Sequence, residues 1–284
     1  MKLKKLPLLL TAIITFSSSA MIIRHDTDSK QYLVNEKDHP AIFPVQITGN
    51  MKECVATLIS PTWAITAAHC TMLINLDNKS RPHTVQIAQQ GYQIKNVIIH
   101  PDFGEMKVKR NAAGQIIDVS MKLKDNSIDV ALLELSKPVT HVKPIPLYQT
   151  SDEVQQKILM LGWGDFARGD KGTMREQPVN DGQFRRAYNQ VDGIEGDYLT
   201  FLFDHPSSDK ALALEGVNGP GDSGGPALIS KNGENFLAGI SSHGSYPDDM
   251  EAPEAEGQYG WREYYVRVSS FKNWINDSIS GVKK

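Results

Sequence analysis

Short apolar or alternating runs recur along the chain with turn-forming residues between them, at 45–47, 55–59, 85–87, 93–99, 130–135, 158–161, 198–203, 227–229, 236–241 and 264–268. Runs of this length, rich in Val, Ile, Leu, Phe and Tyr, predict strands joined by turns in an antiparallel all-β protein. Near the C-terminus the period changes. Phe271, Trp274, Ile275 and Ile279 recur at helical spacing, with Ser269 or Ser270 as candidate caps and Gly281 as a stop, which predicts a packing helix at about 270–280. No repeat of solenoid length and no long low-complexity segment interrupts the pattern.

The first twenty residues follow a different rule. Lys2, Lys4 and Lys5 form a basic start, 6–16 is mostly apolar, and Ser18, Ser19 and Ala20 are small. That order reads as a secretory signal at 1–20, cut after Ala20 for export to the periplasm or the exterior. The apolar stretch is too short to span a bilayer, and no later run approaches the ~18 residues a span needs. The remaining length suits one large β domain or two half-domains around one cleft. With a net charge of −3 and no clustered basic stripe, the composition argues against nucleic acid as a partner.

Three segments carry candidate chemistry. Gly219-Pro220-Gly221-Asp222-Ser223-Gly224-Gly225-Pro226 surrounds one serine with little but backbone. Glycine is permitted where φ is positive or where another molecule must approach the main chain. The Gly-x-Ser-x-Gly within it also fits the nucleophile elbow of α/β-hydrolases, so alone it decides nothing. Thr66-Ala67-Ala68-His69-Cys70 places a histidine at the end of a strand, where small residues leave its ring uncrowded. In the third segment, 126–135, Asp129 is an acid entering an apolar run, so it is expected to be buried. A buried carboxylate needs hydrogen-bond donors, and an imidazole N–H would serve.

The chain order His69, Asp129, Ser223 resembles that of the trypsin/chymotrypsin-type serine proteases; α/β-hydrolases run Ser, Asp or Glu, His. Gly162-Trp163-Gly164, the cysteines 54 and 70, and Tyr265-Val266-Arg267-Val268 leading to Phe271 and Trp274 extend the resemblance over about 40–275. The resemblance implies two six-stranded antiparallel barrels, one at about 40–137 and one at about 151–268. They are joined through the proline-bearing stretch 137–151, and the C-terminal helix follows the second. It pairs Cys54 with Cys70 beside the histidine, with two unpaired thiols as the alternative. Such a bridge is chemically reasonable in an exported protein and contributes roughly 3 kcal/mol by loop entropy.

The same resemblance implies peptide hydrolysis. Ser223 would attack the carbonyl, His69 would take and return the proton, and Asp129 would hold the ring. The N–H groups of Gly221 and Ser223 would form the oxyanion hole. Asp222 would receive a freshly exposed amine, for which the apolar start nominates Ile22, or else Ile23. Val217, Asn218, Ser242, His243, Gly244 and Glu263 fall at substrate-contacting positions, with Val217 at the pocket floor in place of an acid. That favours an apolar or mixed preference over strict Arg/Lys cleavage. Residues 105–125 and 246–260 look inserted, either as solvated loops or as charged rims of the cleft. The chemistry requires no metal or organic cofactor, and the remaining histidines lack metal-ligand spacing. Polypeptide substrates, protein inhibitors and a monomeric state complete the expectation. The competing classes are a catalytically silent binding protein on this scaffold and an esterase.

Overall fold

The computed structural model describes residues 21–49, 51–80, 82–173, 180–250, 253 and 255–281; the expected signal segment lies outside them. A short strand, β1 (Met21–Ile23), precedes β2 (Ile42–Thr48), β3 (Met51–Ser60), β4 (Trp63–Thr66), β5 (Thr84–Ile87) and β6 (Gln90–Ile99). A hairpin of β7 (Gly104–Arg110) and β8 (Ile116–Leu123) follows, and then β9 (Ala131–Leu135). Six of these form an antiparallel sheet in the order β2-β3-β4-β9-β6-β5. Its outer strands β2 and β5 return to each other, tied where His83 Nε2 meets the Val45 carbonyl at 2.9 Å. Alternation marks the outer strand: in β5, Val85 and Ile87 are buried while Thr84 and Gln86 face out. Mid-sheet β4 is buried throughout: Trp63, Ala64 and Ile65 are apolar, and the Thr66 hydroxyl donates to the Val55 carbonyl at 2.7 Å.

The second half contributes β10 (Lys157–Gly162), β11 (Phe166–Arg168), β12 (Arg185–Gln190), β13 (Gly193–Glu195), β14 (Tyr198–Leu202), β15 (Gly216–Val217), β16 (Pro226–Lys231), β17 (Glu234–Ser245) and β18 (Arg262–Arg267). Seven of these make one antiparallel sheet, β12-β10-β16-β17-β18-β14-β13. Asn189 of β12 donates to the Leu202 carbonyl of β14 at 2.9 Å, which curls the sheet towards closure. The architecture is the chymotrypsin type, with a seventh short strand, β13, beyond the six expected. The third sheet is small and consequential: β1 lies between β11, to which it is parallel, and β15, to which it is antiparallel.

One hydrophobic cluster crosses both halves, from Phe43, Leu58 and Ile65 through Trp163 to Leu237 and Val266. A second fills the other side of the later sheet, where Met21, Ile22 and Ile23 pack with Phe201, Phe203 and Tyr265. The C-terminal helix, α1 (Lys272–Ser280), buries Ile275 in the shared cluster and ends at Gly281 with φ 72°. The expected serine caps are used otherwise. Residues 268–270 form a 3-10 turn, and Ser269 Oγ donates to the buried carboxylate of Glu153 at 2.5 Å.

Candidate active site

His69 opens a 3-10 turn, His69–Leu73, directly after β4, on a shelf made by the buried Ala67 and Ala68. Asp129 stands between Ile128 and Val130 just ahead of β9 and is only 7 % exposed. Its carboxylate is fully engaged. Oδ1 accepts the main-chain N–H of His69 at 2.9 Å, and Oδ2 accepts His69 Nδ1 at 2.7 Å and Ser242 Oγ at 2.8 Å. Burial by itself would raise the Asp129 carboxyl; the bonds from His69 and Ser242 overcome it and hold the group below its ordinary value. Ionised, the carboxylate only accepts, so His69 carries its proton on Nδ1 and leaves Nε2 as a base.

Ser223 sits in the turn between β15 and β16, pinned by main-chain bonds. Val55 N–H donates to the Ser223 carbonyl at 2.7 Å, Gly224 N–H to Ser241 O at 2.9 Å, and Gly225 N–H to Asp222 O at 2.9 Å. The Cys54–Cys70 bridge lies at the same spot, so the pairing that the resemblance implied is present. Cys70 Sγ is 3.8 Å from His69 Nε2 and 3.5 Å from the Ser223 carbonyl oxygen, which brings serine and histidine against one sulfur atom. Among the described residues no hydrogen bond joins the Ser223 hydroxyl to His69. Donor atoms of Cys54, His69 and Cys70 cluster within 4.8 Å, but the sulfurs are bonded to each other, which leaves one ring nitrogen to offer a metal.

Gly221 has φ +97°, a conformation that L side chains resist, and a Cβ there would stand 3.1 Å from Gly164 Cα. Among the described residues the N–H groups of Gly221 and Ser223 are not spent on internal hydrogen bonds. Asp222, 1 % exposed, turns inward and accepts N–H groups of Gly164 at 2.6 Å and Gly219 at 3.0 Å. Burial pushes its carboxyl up to about 7 despite those two bonds, and no ion pair reaches it among the described residues. Ile22 is locked in the small sheet opposite Ala167 and Val217, so its main chain is committed to two neighbouring strands. Met21, the preceding residue, is equally buried and adopts φ 65°.

A cavity of about 540 Å³ opens beside Ser223, with Asn218, Ser242, His243, Gly244 and Glu263 in its walls. Val217 is not among them. It is 0 % exposed, and it pairs with Ile22, whose side chain reaches the cavity in its place. The sequence reading missed Asp165 and Trp261, which line the cavity together with Glu256 of the acidic 246–260 segment. Glu263 is 3 % exposed and accepts Trp261 Nε1–H at 3.1 Å; burial raises its carboxyl to about 8. Burial, with a smaller contribution from the Glu53 charge, lifts Asp165 to about 6.

On the other side of His69 lies a larger cavity of about 930 Å³, bounded by Phe103, Met121, Leu123, Tyr198, His243 and Tyr264. Met121 and Leu123 come from the 105–125 segment, which is a hairpin and not a bare loop. Its odd positions, Val119, Met121 and Leu123, form one apolar face that period-2 reading could have found. Part of the 246–260 segment, Glu256 and Gly257, likewise borders the smaller cavity. Both inserted segments therefore rim the cleft.

The family described as Trypsin matches residues 30–275. Serine protease 41 of Homo sapiens is 26% identical over 253 residues, covering 80% of this chain and 69% of that protein. CLIP domain-containing serine protease B15 of Anopheles gambiae is 24% identical over 308 residues, covering 96% of this chain and 76% of its own length. Among solved structures, neuropsin, a serine protease expressed in the limbic system of mouse brain, superimposes with a TM-score of 0.57 at 21% identity. That likeness covers 87% of this chain and 98% of neuropsin.

Proposed function

The chain belongs to the trypsin family, and on that premise we propose that it is an exported serine endopeptidase acting through Ser223, His69 and Asp129. One observation carries the reading. Asp129 fixes both the main chain and the ring of His69, so the imidazole presents a basic Nε2 on the side where the Ser223 turn is pinned. In the reaction the Ser223 hydroxyl adds to the peptide carbonyl while His69 Nε2 takes its proton. Asp129 stabilises the imidazolium without accepting that proton. The oxygen that becomes negative is received by the uncommitted N–H groups of Gly221 and Ser223. His69 then protonates the departing amine, and water removes the acyl group from Ser223 by the reverse sequence.

The register of β1 favours Met21 over Ile22 as the source of the amine. Ile22 is held on both sides by strand pairing, whereas a chain starting at Met21, directly after Ala20, frees an amine next to the buried strand. Asp222, buried and without a cationic partner among the described residues, is the group for it.

Specificity follows the acids in the smaller cavity. Among the described residues its lining holds the carboxyl groups of Asp165, Glu256 and Glu263. With Val217 withdrawn beneath Ile22, the pocket takes a basic side chain, whose charge draws the proton from Glu263, in place of the apolar or mixed preference expected from sequence.

A serine-directed fluorophosphonate tests the function. It is expected to label the wild type and not Ser223→Ala, and peptide turnover is expected to vanish with the label. A wild type that stays unlabelled refutes the reading. Turnover of esters but not of any peptide in a broad panel replaces it with an esterase.

A further inference from the structure

β17 and β18 pair with a register shift between Ser241 and His243, a bulge that leaves Ser242 without a partner on β18. A bulge re-aims side chains, and here it turns two consecutive residues towards the cleft. Ser242 Oγ lies 2.8 Å from Asp129 Oδ2 and 3.0 Å from His243 Nδ1. A hydroxyl has one proton. Asp129 is an ionised acceptor already shared with His69, so the Ser242 proton points to Asp129, and the bond to His243 exists only if Nδ1 carries a hydrogen and donates.

We propose that His243 is a positioning residue of the catalytic network, held as the Nδ1–H tautomer and donating to Ser242 so that Ser242 donates to Asp129. This rests on the reading of the site as a serine peptidase. The resulting chain runs His243 to Ser242 to Asp129, where it meets the bond from His69 Nδ1. Its outer end is fixed by packing: the His243 ring stacks on Tyr264 at 4.7 Å with a 4° interplanar angle and meets Tyr198 edge-on at 5.4 Å. Nε2 is then the nitrogen left for protonation, because Nδ1 is already occupied. Protonation there leaves the bond to Ser242 intact and places a positive charge near Asp129 and His69.

Both effects of His243 act on the base in the same direction. Its N–H polarises Ser242 into a stronger donor, which draws negative charge on Asp129 away from His69. Its cation, once formed, disfavours a second cation on His69. The other groups around the ring are Tyr264 and Glu263 on β18 and Tyr198 on β14. Glu195 and Asp197 beside β14, with Lys124 and Asp125 ahead of Asp129, complete the surrounding charges. None of these is placed between His243 and Ser242.

Nitrogen NMR of the full protein reads the tautomer without turnover, with His243 assigned by its loss in His243→Phe. Neutral His243 is expected as Nδ1–H, and Ser242→Ala is expected to release it to the Nε2–H form. An Nε2–H form in the wild type overturns the proposal. The pH dependence of fluorophosphonate labelling gives the functional arm. In His243→Phe, which keeps an aromatic ring on Tyr264, the acid limb is expected to move up by about half a unit. That corresponds to about a threefold loss at the acid end relative to the plateau. His243→Asn, which retains a donor at the same position, is expected to recover part of the shift. A limb unmoved in His243→Phe overturns the proposal while labelling itself still supports the peptidase. A wild type that is never labelled removes the peptidase reading and this proposal together.

Discussion

Asp129 grips His69 at two points, the main-chain amide at 2.9 Å and the ring Nδ1 at 2.7 Å, one on each carboxylate oxygen. The first bond sets where the 3-10 turn begins, and the second sets which face of the ring looks into the cleft. A single side chain thus determines position and tautomer together.

Asp129→Asn is nearly isosteric and is expected to keep the fold, because an amide oxygen still accepts the main-chain N–H. Its NH₂ group cannot accept from Nδ1, so the ring is driven to the wrong tautomer. Turnover is expected to fall about 10³- to 10⁴-fold, with a melting temperature within a few degrees of the wild type. Single-turnover acylation beside a thermal melt checks both halves of the statement.

Gly221→Ala places a Cβ on a residue at φ +97°. Relief of that strain turns the 220–221 peptide and withdraws one N–H from the oxyanion position. A loss of about 10²- to 10³-fold in kcat is expected, with KM changed far less, since that bond forms in the transition state. Steady-state kinetics on one good peptide suffices, and an unchanged kcat contradicts the assignment of this N–H.

Glu263→Gln removes the acid from the pocket wall while retaining an acceptor for Trp261. Cleavage after Arg and Lys is expected to drop about 10- to 10²-fold relative to cleavage after apolar residues, because a bound cation draws the proton from Glu263 and pairs with the carboxylate, which glutamine cannot supply. A peptide library read by mass spectrometry measures the ratio. If basic and apolar sites fall equally, Glu263 does not select the substrate.

Stability is expected to decline as pH rises from about 4 towards 8. Asp222 at about 7 and Glu263 at about 8 hold protons in the folded chain that the unfolded chain, near 3.8 and 4.5, has already released. Their contribution is intact below the unfolded values and is lost through the folded ones. Asp129, held below its ordinary value, acts oppositely and costs stability on acidification below about 4. Melting temperature against pH traces the curve, and Glu263→Gln should flatten its alkaline side. A chain with its free amine at Met21 should lose the Asp222 share, whereas one extended by a residue should keep it.

The site's three main residues were legible because each imposes a local demand that shows in sequence. Ser223 needs a turn that glycine permits, His69 needs small neighbours, and Asp129 is an acid where the strand pattern calls for an apolar residue. The pocket was less legible. Asp165 and Trp261 reach it from two segments far apart in the chain, and nothing in their own neighbourhoods marks them. Val217 shows how an offset counted from Ser223 fails: it gives a place along the chain, but pairing with Ile22 decides which way that place faces. Strand β13 escaped because Gly193–Glu195 is too short to carry a period, and it exists by pairing with β14.

Helix α1 belongs by chain order to the serine-bearing half, yet its approach sends Phe271 and Trp274 against His100 at 5.0 and 4.8 Å between rings. His100 follows β6 and lies in the half that supplies the histidine and aspartate. The tail is therefore a latch across the seam. Clipping it ahead of Phe271 would strip a wall from the opposite lobe, so the two lobes cannot be expressed as separable pieces by cutting at the midpoint alone.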